Sequence, residues 1–306
     1  MSHNTAFRSA SRANKLFYVF NTLFWIIVMF IVLYPLYLVC IASVSDPDAV
    51  LRGEVIWKPV GFSLVGYKAV IKYSGFWRSY ANTIINSTCS ICLSVVVTMA
   101  GGYVLSRKKF PGKKLLGLYV LIPMFISGGL IPTFLVVRDL GLYNTRAALI
   151  LMGSVSLWNL MVARTYIENS IPQELYDAAL MDGASHFQYL TKVVLPLSKT
   201  IIAVLVVYAG VAEWNDYFTG VVYIRDRELL PLQTLLREIL AALQIDTSGD
   251  YMANMAGDYA SIQEAMRVAN VAKYCIIVVS TGPILALYAF VQKFFEKGVM
   301  IGSLKG

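Results

Sequence analysis

The chain has 306 residues, of which 58% are hydrophobic and 14% are charged, and its formal net charge is +8. A soluble domain cannot bury so large an apolar fraction, so the composition excludes a soluble globular protein and indicates a polytopic membrane protein. The basic excess is expected to reflect membrane topology, because cations collect at the cytoplasmic ends of membrane helices. It gives little support to nucleic-acid binding.

Six apolar stretches approach the roughly 20 residues that a helix needs to cross a bilayer. They lie at about 17–43, 81–106, 115–137, 147–163, 198–222 and 272–294. The sequence therefore predicts an all-α bundle of about six transmembrane helices, forming a single transmembrane domain over residues 1–306. The first stretch is expected to be retained, because no small-residue cleavage pattern follows it.

The charges predict the orientation of this bundle. The run RKKFPGKK at 107–114 places five basic residues in a very short connection, which indicates a cytoplasmic loop and cytoplasmic N- and C-termini. Two long connections, about 45–80 and 223–271, then lie on the extracytoplasmic side of the membrane. The second contains PLQTLLREILAAL, whose leucines recur at helical spacing. This amphipathic helix either packs on the bundle or helps to receive an extracytoplasmic partner.

Two membrane segments carry residues suited to a solute path. In the third stretch, FISGGLIPTF places Gly128, Gly129 and Pro132 at membrane depth, which favours either a break beside a translocation path or close helix packing. The fifth stretch ends in EWNDYF, where Glu213 and Asp216 are functional candidates if they lie inside the boundary and ordinary loop residues if they do not.

Aromatic and amide side chains near these segments match the chemistry of sugars, whose C–H faces stack on rings and whose hydroxyls need hydrogen-bond partners. Each aromatic residue taken singly is equally explained as an interfacial anchor. The candidate substrate-path residues are Gly128, Gly129, Trp158, Asn159, Trp214, Asn215 and Tyr217.

The motifs that the sequence lacks also restrict its function. It contains no G-x-x-x-x-G-K-[ST] phosphate loop, so the chain is expected to bind no ATP itself and to depend on another protein for energy. No nucleophile elbow or zincin motif suggests an enzyme. His3 and His186 are isolated and the cysteines lie in or beside apolar stretches, so neither a metal site nor any bound cofactor is predicted.

The polar connection at about 164–197 is the most informative part of the sequence. Ser170 with Gln173 and Ser185 with Gln188 are spaced as capping boxes, and Gly183 separates them. The pattern predicts a helix, a sharp bend and a second helix that stops at Pro196. Such an element is either a docking site for a soluble partner or an interfacial loop that caps the bundle.

The spacing D-A-A-x-x-D-G-A, followed by Phe187 and Pro196, resembles the cytoplasmic EAA loop of bacterial ATP-binding-cassette (ABC) import permeases. Asp177 stands where that family usually has glutamate, so a salt bridge from this position has a shorter reach. The resemblance implies that residues 171–193 form the coupling element that contacts an ATPase. The coupling residues that it implies are Asp177, Ala178, Ala179, Asp182, Gly183, Ala184, Phe187 and Pro196.

The end of the chain is similar to the last helix and tail of maltose-type sugar permeases. Lys297, Gly298, Gly302 and Lys305 occupy positions of that family's closing pattern, while Val299 and Met300 replace its usual pair. By this likeness the tail runs along the ATPase interface; the alternative is a solvated tail. FISGGLIPTF looks most like the branch allied to the LplC and YtcP permeases, often associated with complex oligosaccharides, including uronate-containing ones.

The resemblance implies a type I ABC importer permease fold in the bacterial cytoplasmic membrane. It further implies a second homologous permease, two ATPase subunits that bind ATP and Mg²⁺, and an extracytoplasmic sugar-binding protein. The function expected on this basis is oligosaccharide import. A stand-alone ion-coupled secondary transporter is the alternative, although it calls for intramembrane carboxylates and inverted repeats that are not visible in the sequence. A structural membrane anchor for an ATPase is a third hypothesis.

Overall fold

The computed structural model describes residues 12–108, 110–247 and 259–302. Within these ranges the chain forms helices and no strand, which confirms the all-α prediction. The chain divides into two compact units. One consists of the residues up to Lys72 together with Leu243–Val279, and the other of Tyr73–Ala242 together with the residues from Ser280 onward.

The first unit contains a long apolar helix and two short ones. Its helices are α1 (Arg12–Ser43), α2 (Pro47–Leu51), α3 (Val65–Lys72) and the first part of the last helix of the chain, Tyr259–Gly302. Asp46 caps α2 by accepting from the backbone N–H of Asp48 at 2.9 Å, and Arg267 forms a salt bridge to Asp48 at 2.8 Å. Cys275 is buried, which agrees with the expectation that the cysteines act as small apolar residues.

The second unit contains the elements that carry most of the candidate site residues. They are α4 (Phe76–Ser106), α5 (Lys113–Phe125), α6 (Leu130–Asp139), α7 (Arg146–Ser154), α8 (Leu157–Ser170), α9 (Gln173–Met181), α10 (His186–Tyr189), a π-helical turn (Leu190–Val194), α11 (Leu195–Leu197), α12 (Lys199–Asn215), α13 (Phe218–Tyr223) and α14 (Leu232–Thr247). The last helix, α15 (Tyr259–Gly302), ends in this unit.

Helix α4 is the centre of the second unit and packs against α7, α8 and α12. Its buried face is built from small and polar residues, which allow membrane helices to approach closely and to hydrogen-bond across the contact. At Gly102 an added Cβ would lie 3.0 Å from the Cβ of Ala163 and 3.0 Å from the backbone nitrogen of Arg164. The glycine is therefore required by the close contact between α4 and α8.

The number of uninterrupted membrane helices is smaller than predicted. By length and composition, Asn14–Ser43, Phe76–Ser106 and Arg267–Gln292 can each cross a membrane, and the described residues contain up to five spans if each bent helix pair counts as one. The bends are 43° between α7 and α8, and 82° between His186–Leu197 and α12. Two helix boundaries also differ from the predicted ones. Helix α4 begins at Phe76, before the predicted stretch 81–106, and α8 continues to Ser170, beyond the predicted stretch 147–163.

The third predicted stretch, 115–137, is two helices rather than one continuous span. The chain leaves α5 after Phe125 and enters α6 at Leu130, and Gly129 between them has a φ of +87°. Only glycine adopts this conformation without strain, and Pro132 then lies in the first turn of α6, where its missing N–H costs least. The break predicted at Gly128 and Gly129 is therefore present, while the uninterrupted helix is not.

Helix α14 confirms the amphipathic helix predicted after residue 231. Leu232, Leu235, Leu236 and Ile239 are all buried, and the backbone N–H of Leu232 donates to the hydroxyl of Thr83 at 2.7 Å. The apolar face of this helix therefore packs within the second unit, as the first of the two interpretations expected.

Candidate functional site

The bend between α9 and α10 is a helix-ending motif centred on Gly183. Gly183 has a φ of +74°, its N–H donates to the carbonyl of Leu180 at 3.0 Å, and the N–H of Ala184 donates to the carbonyl of Ala179 at 2.9 Å. This pair of hydrogen bonds is the Schellman motif, in which a left-handed residue ends the helix and turns the chain. The predicted bend at Gly183 is confirmed, and we refer to residues 173–189 as the elbow.

One of the two predicted capping boxes is present. The hydroxyl of Ser185 accepts from the backbone N–H of Gln188 at 3.2 Å, and the amide oxygen of Gln188 accepts from the N–H of Ser185 at 2.8 Å. The box predicted at Ser170 and Gln173 is wrong. Because α8 extends through Ser170, Pro172 takes the N-cap position of α9, and the side chain of Gln173 donates to Asp177 at 3.2 Å instead.

The second helix of the elbow does not stop at Pro196. After α10 the backbone widens into the π-helical turn and continues through α11 to Leu197, and the 82° bend follows at Ser198. The expected stop is therefore displaced by about two residues. Single π-turns occur frequently at functional sites, and the sequence had no signal for this one.

Most of the predicted coupling residues lie on the surface of the elbow. Asp177, Ala178, Asp182, Gly183, Phe187 and Pro196 are exposed, and Ala179 and Ala184 are half-buried. Two large apolar side chains are exposed near the bend. Met181, just before the bend in the sequence, is 89% exposed, and Phe187, just after it, is 73% exposed. An exposed apolar surface beside polar residues is typical of a protein-interaction site.

An aromatic cluster that the sequence did not reveal joins the elbow to α4. The guanidinium of Arg107, at the end of α4, lies 5.0, 4.6 and 5.5 Å from the ring centroids of Tyr103, Tyr176 and Tyr189. The hydroxyl of Tyr103 is also 3.0 Å from Nδ1 of His186, whose ring stacks on Tyr176. Such cation–π contacts stabilise their partners by about 0.5–2 kcal/mol each. This tyrosine cluster fastens both helices of the elbow to α4.

A cavity of about 510 Å³ opens beside this cluster. Its walls include Arg107 and Lys108 from the basic loop, and Tyr176, Asp177 and Leu180 from α9. Asp177 accepts a hydrogen bond from Gln173 and forms no salt bridge with the described residues. The cavity therefore presents both signs of charge and an apolar wall next to the exposed elbow.

Replacing Arg107 by alanine is expected to loosen the elbow without unfolding the bundle. Loss of the guanidinium removes its contacts with three rings, so backbone amide exchange over 173–189 should rise by about tenfold, which corresponds to ~1.4 kcal/mol. Hydrogen–deuterium exchange of the purified protein measures this change. Lys192→Ala is the matched control, since it removes an exposed basic side chain close to the elbow; an equal rise in that variant would contradict the role of Arg107.

The substrate-path candidates differ in their burial and in their hydrogen-bond partners. Trp158 is exposed on α8, while its neighbour Asn159 is buried. Trp214 is buried and donates from Nε1 to the carbonyl of Ser280 at 2.7 Å, so its indole serves packing within the second unit. Asn215 donates to the carbonyl of Val211 in its own helix.

The remaining path candidates are exposed. Tyr217 lies under the guanidinium of Arg237, which is 4.2 Å from its ring centroid, and Gly128 and Gly129 lie in the break between α5 and α6. Of the seven candidates, Asn159 and Trp214 are buried and the others are exposed. Their assignment to a solute path stays a prediction.

Buried polar residues on α4 were not predicted. The guanidinium of Arg146 donates to the side-chain oxygens of Asn82 and Asn86 at 2.8 and 3.0 Å. Glu213 is partly buried, and its carboxylate occupies the space that a side chain at Gly153 would fill. The bonds from Arg146 on α7 explain how the side-chain oxygens of Asn82 and Asn86 are accommodated inside the unit.

The candidate tail residues lie at the end of α15. The backbone is helical at Lys297, Gly298 and Gly302, and Lys305 lies outside the described residues. The contact predicted between this tail and an ATPase stays a prediction.

The fold and the elbow together define a helical membrane subunit that presents an exposed surface to a partner protein. Residues 4–301 match the family described as "Binding-protein-dependent transport system inner membrane component", and the chain belongs to this family. It is thus a translocation component, the permease subunit of an ABC-type import system, located in the inner membrane. Membership in this family argues against the stand-alone transporter and the structural anchor.

Individual relatives agree with this assignment. The chain is 35% identical to Protein LplC of Bacillus subtilis (strain 168), over 99% of this chain and 98% of that protein. It is 32% identical to the polygalacturonan/rhamnogalacturonan transport system permease protein YtcP of the same organism, over 96% and 99% of the two chains. Its structure is similar to a chain of a bacterial ABC transporter involved in the import of the acidic polysaccharide alginate, with a TM-score of 0.80, 32% identity, and 94% and 99% coverage.

Proposed function

We propose that this permease imports an oligosaccharide that carries carboxylate groups, together with a second homologous permease, two ATPase subunits and an extracytoplasmic binding protein. The substrate class is supported by two relatives whose names refer to polygalacturonan and to the acidic polysaccharide alginate. ATP and Mg²⁺ are bound by the partner ATPases, and this chain binds neither. The elbow and both termini face the cytoplasm in this proposal.

The observation that carries the coupling part of the proposal is the elbow itself. Met181 and Phe187 expose apolar surface on a rigid bend, and the tyrosine cluster connects that bend to α4. When ATP binding closes the ATPase subunits, the ATPase surface that contacts the elbow moves α9 and α10 together. Because α4 packs against α7, α8 and α12, the displacement reaches several membrane helices at once.

The test is ATP hydrolysis by the complete complex in lipid vesicles. Acidic oligogalacturonate, added with the cognate binding protein, is expected to stimulate hydrolysis several-fold. The methyl-esterified form of the same oligomer is the matched control, because it has the same backbone without the charge. Equal stimulation by both forms would contradict the acidic substrate. Uptake driven by an ion gradient through the purified chain alone would contradict ATP coupling.

A further inference from the structure

A basic pocket lies at the start of α5 and shares Lys108 with the cavity beside the elbow. It has a volume of about 770 Å³, and its lining includes Lys108, Lys113, Lys114, Arg164, Leu118 and Leu121. All of these residues belong to the second unit. The pocket thus combines four basic side chains with an apolar wall.

The charge of this pocket is only partly neutralised. Glu168 accepts from Lys113 at 3.0 Å and from Arg164 at 3.2 Å, and both bonds end on the same carboxylate oxygen. Lys108 and Lys114 form no salt bridge within the described part of the chain. Among the residues that the structure describes, the basic side chains of the pocket thus outnumber the carboxylate that pairs with them, and the excess of positive charge favours an anionic ligand.

The apolar wall continues as an exposed stripe along α5. Leu115, Leu118, Tyr119 and Ile122 are all exposed, and their spacing places them on one face of the helix. The stripe covers about two turns, or roughly 10 Å, from the pocket toward the middle of the membrane segment. A small soluble anion would bind the cations without using this stripe, whereas an acyl chain would cover it.

We propose that the pocket binds the phosphate headgroup of an anionic phospholipid, such as cardiolipin or phosphatidylglycerol, with an acyl chain along the α5 stripe. Basic pockets at the cytoplasmic ends of membrane helices recognise such headgroups. The inference uses the proposed orientation only to assign the pocket to the cytoplasmic leaflet. Lipid binding itself does not depend on which solute is transported.

The test measures binding of added cardiolipin to the purified complex by native mass spectrometry. The double variant Lys108→Gln with Lys114→Gln removes two cations and leaves the Lys113–Glu168–Arg164 contacts in place. Each lysine is expected to contribute about fivefold to the affinity, so the double variant should bind roughly 25-fold more weakly. Lys192→Gln with Lys199→Gln is the matched control, because both lysines are exposed and lie outside the pocket, and it should change the affinity less than about twofold.

Additional measurements identify the ligand. Phosphatidylcholine should bind more weakly than cardiolipin, and inorganic phosphate at millimolar concentration should fail to displace the lipid. Displacement by phosphate would overturn the proposal in favour of a soluble anion site. An equal loss of cardiolipin affinity in the two double variants would show a non-specific charge effect. Cardiolipin binding that appears only after the ATPase subunits are removed would show that the ATPase subunits, and not a lipid, occupy the pocket in the complex. Substrate-stimulated hydrolysis, measured separately, reports on the proposed function.

Discussion

Replacing Gly183 by proline is expected to leave the chain inserted in the membrane and to lower ATP-driven uptake at least about a hundredfold. The φ of +74° at Gly183 cannot be reached by proline, whose ring holds φ near −65°. The substitution also removes the N–H that donates to the carbonyl of Leu180. A cost of roughly 3 kcal/mol or more is expected at the bend, so α9 and α10 no longer meet at the angle that a partner recognises.

Uptake is measured in vesicles that contain the complete complex, together with the amount of chain extracted from the membrane. Gly183→Asn is the matched control, because asparagine tolerates the left-handed conformation and a Cβ at this position meets no described atom within 4 Å. The asparagine variant should retain most of the uptake. Normal uptake by the proline variant would contradict the elbow as a coupling lever, and equal loss in both variants would show that any side chain at Gly183 is harmful.

Replacing Met181 and Phe187 together by aspartate is expected to release the ATPase subunits while the permease stays folded. Both side chains are exposed in this chain, at 89% and 73%, so the substitutions remove no internal packing. If a partner covers them, each contributes about 1.5–3 kcal/mol through burial, and a buried carboxylate without a partner adds a further cost. The retention of ATPase subunits on the purified permease should therefore fall at least a hundredfold.

The control for this second result is Leu140→Asp, which places the same charge on a leucine that is 68% exposed at the end of α6. It should leave the ATPase subunits bound. The measurement is the ratio of ATPase to permease after affinity purification, with thermal unfolding of each variant as the check on folding. Retention of the ATPase by the double variant would place the docking surface elsewhere on the chain.

Local patterns in the sequence were sufficient for the elbow. The bend at Gly183 and the capping box at Ser185 depend on residues within a few positions of each other, so the spacing alone predicts them. The box at Ser170 was wrong because α8 continues through that residue. The helix ends at Ile171, whose extended backbone is the conformation that the following Pro172 favours, so this end also has a local cause.

Long-range contacts decided the features that the sequence missed. Arg107 is separated from Tyr176 and Tyr189 in the sequence by the helices α5 to α8, and no periodicity links the three residues. Trp214 looked suited to sugar stacking, whereas its indole donates to the carbonyl of Ser280 far along the chain. From the sequence alone, an aromatic residue fits both sugar stacking and helix packing, because the neighbouring helices determine which of the two its ring serves.

The sequence by itself determined the class of the protein, its helical membrane architecture, the family and the position of the elbow, because hydrophobic content, glycine and capping chemistry act locally along the chain. Only the tertiary structure decided which helices bend, how the tyrosine cluster joins the elbow to α4, and which basic side chains at the start of α5 form salt bridges. Those outcomes depend on packing between residues that are distant in sequence, where burial and pairing outweigh local preference.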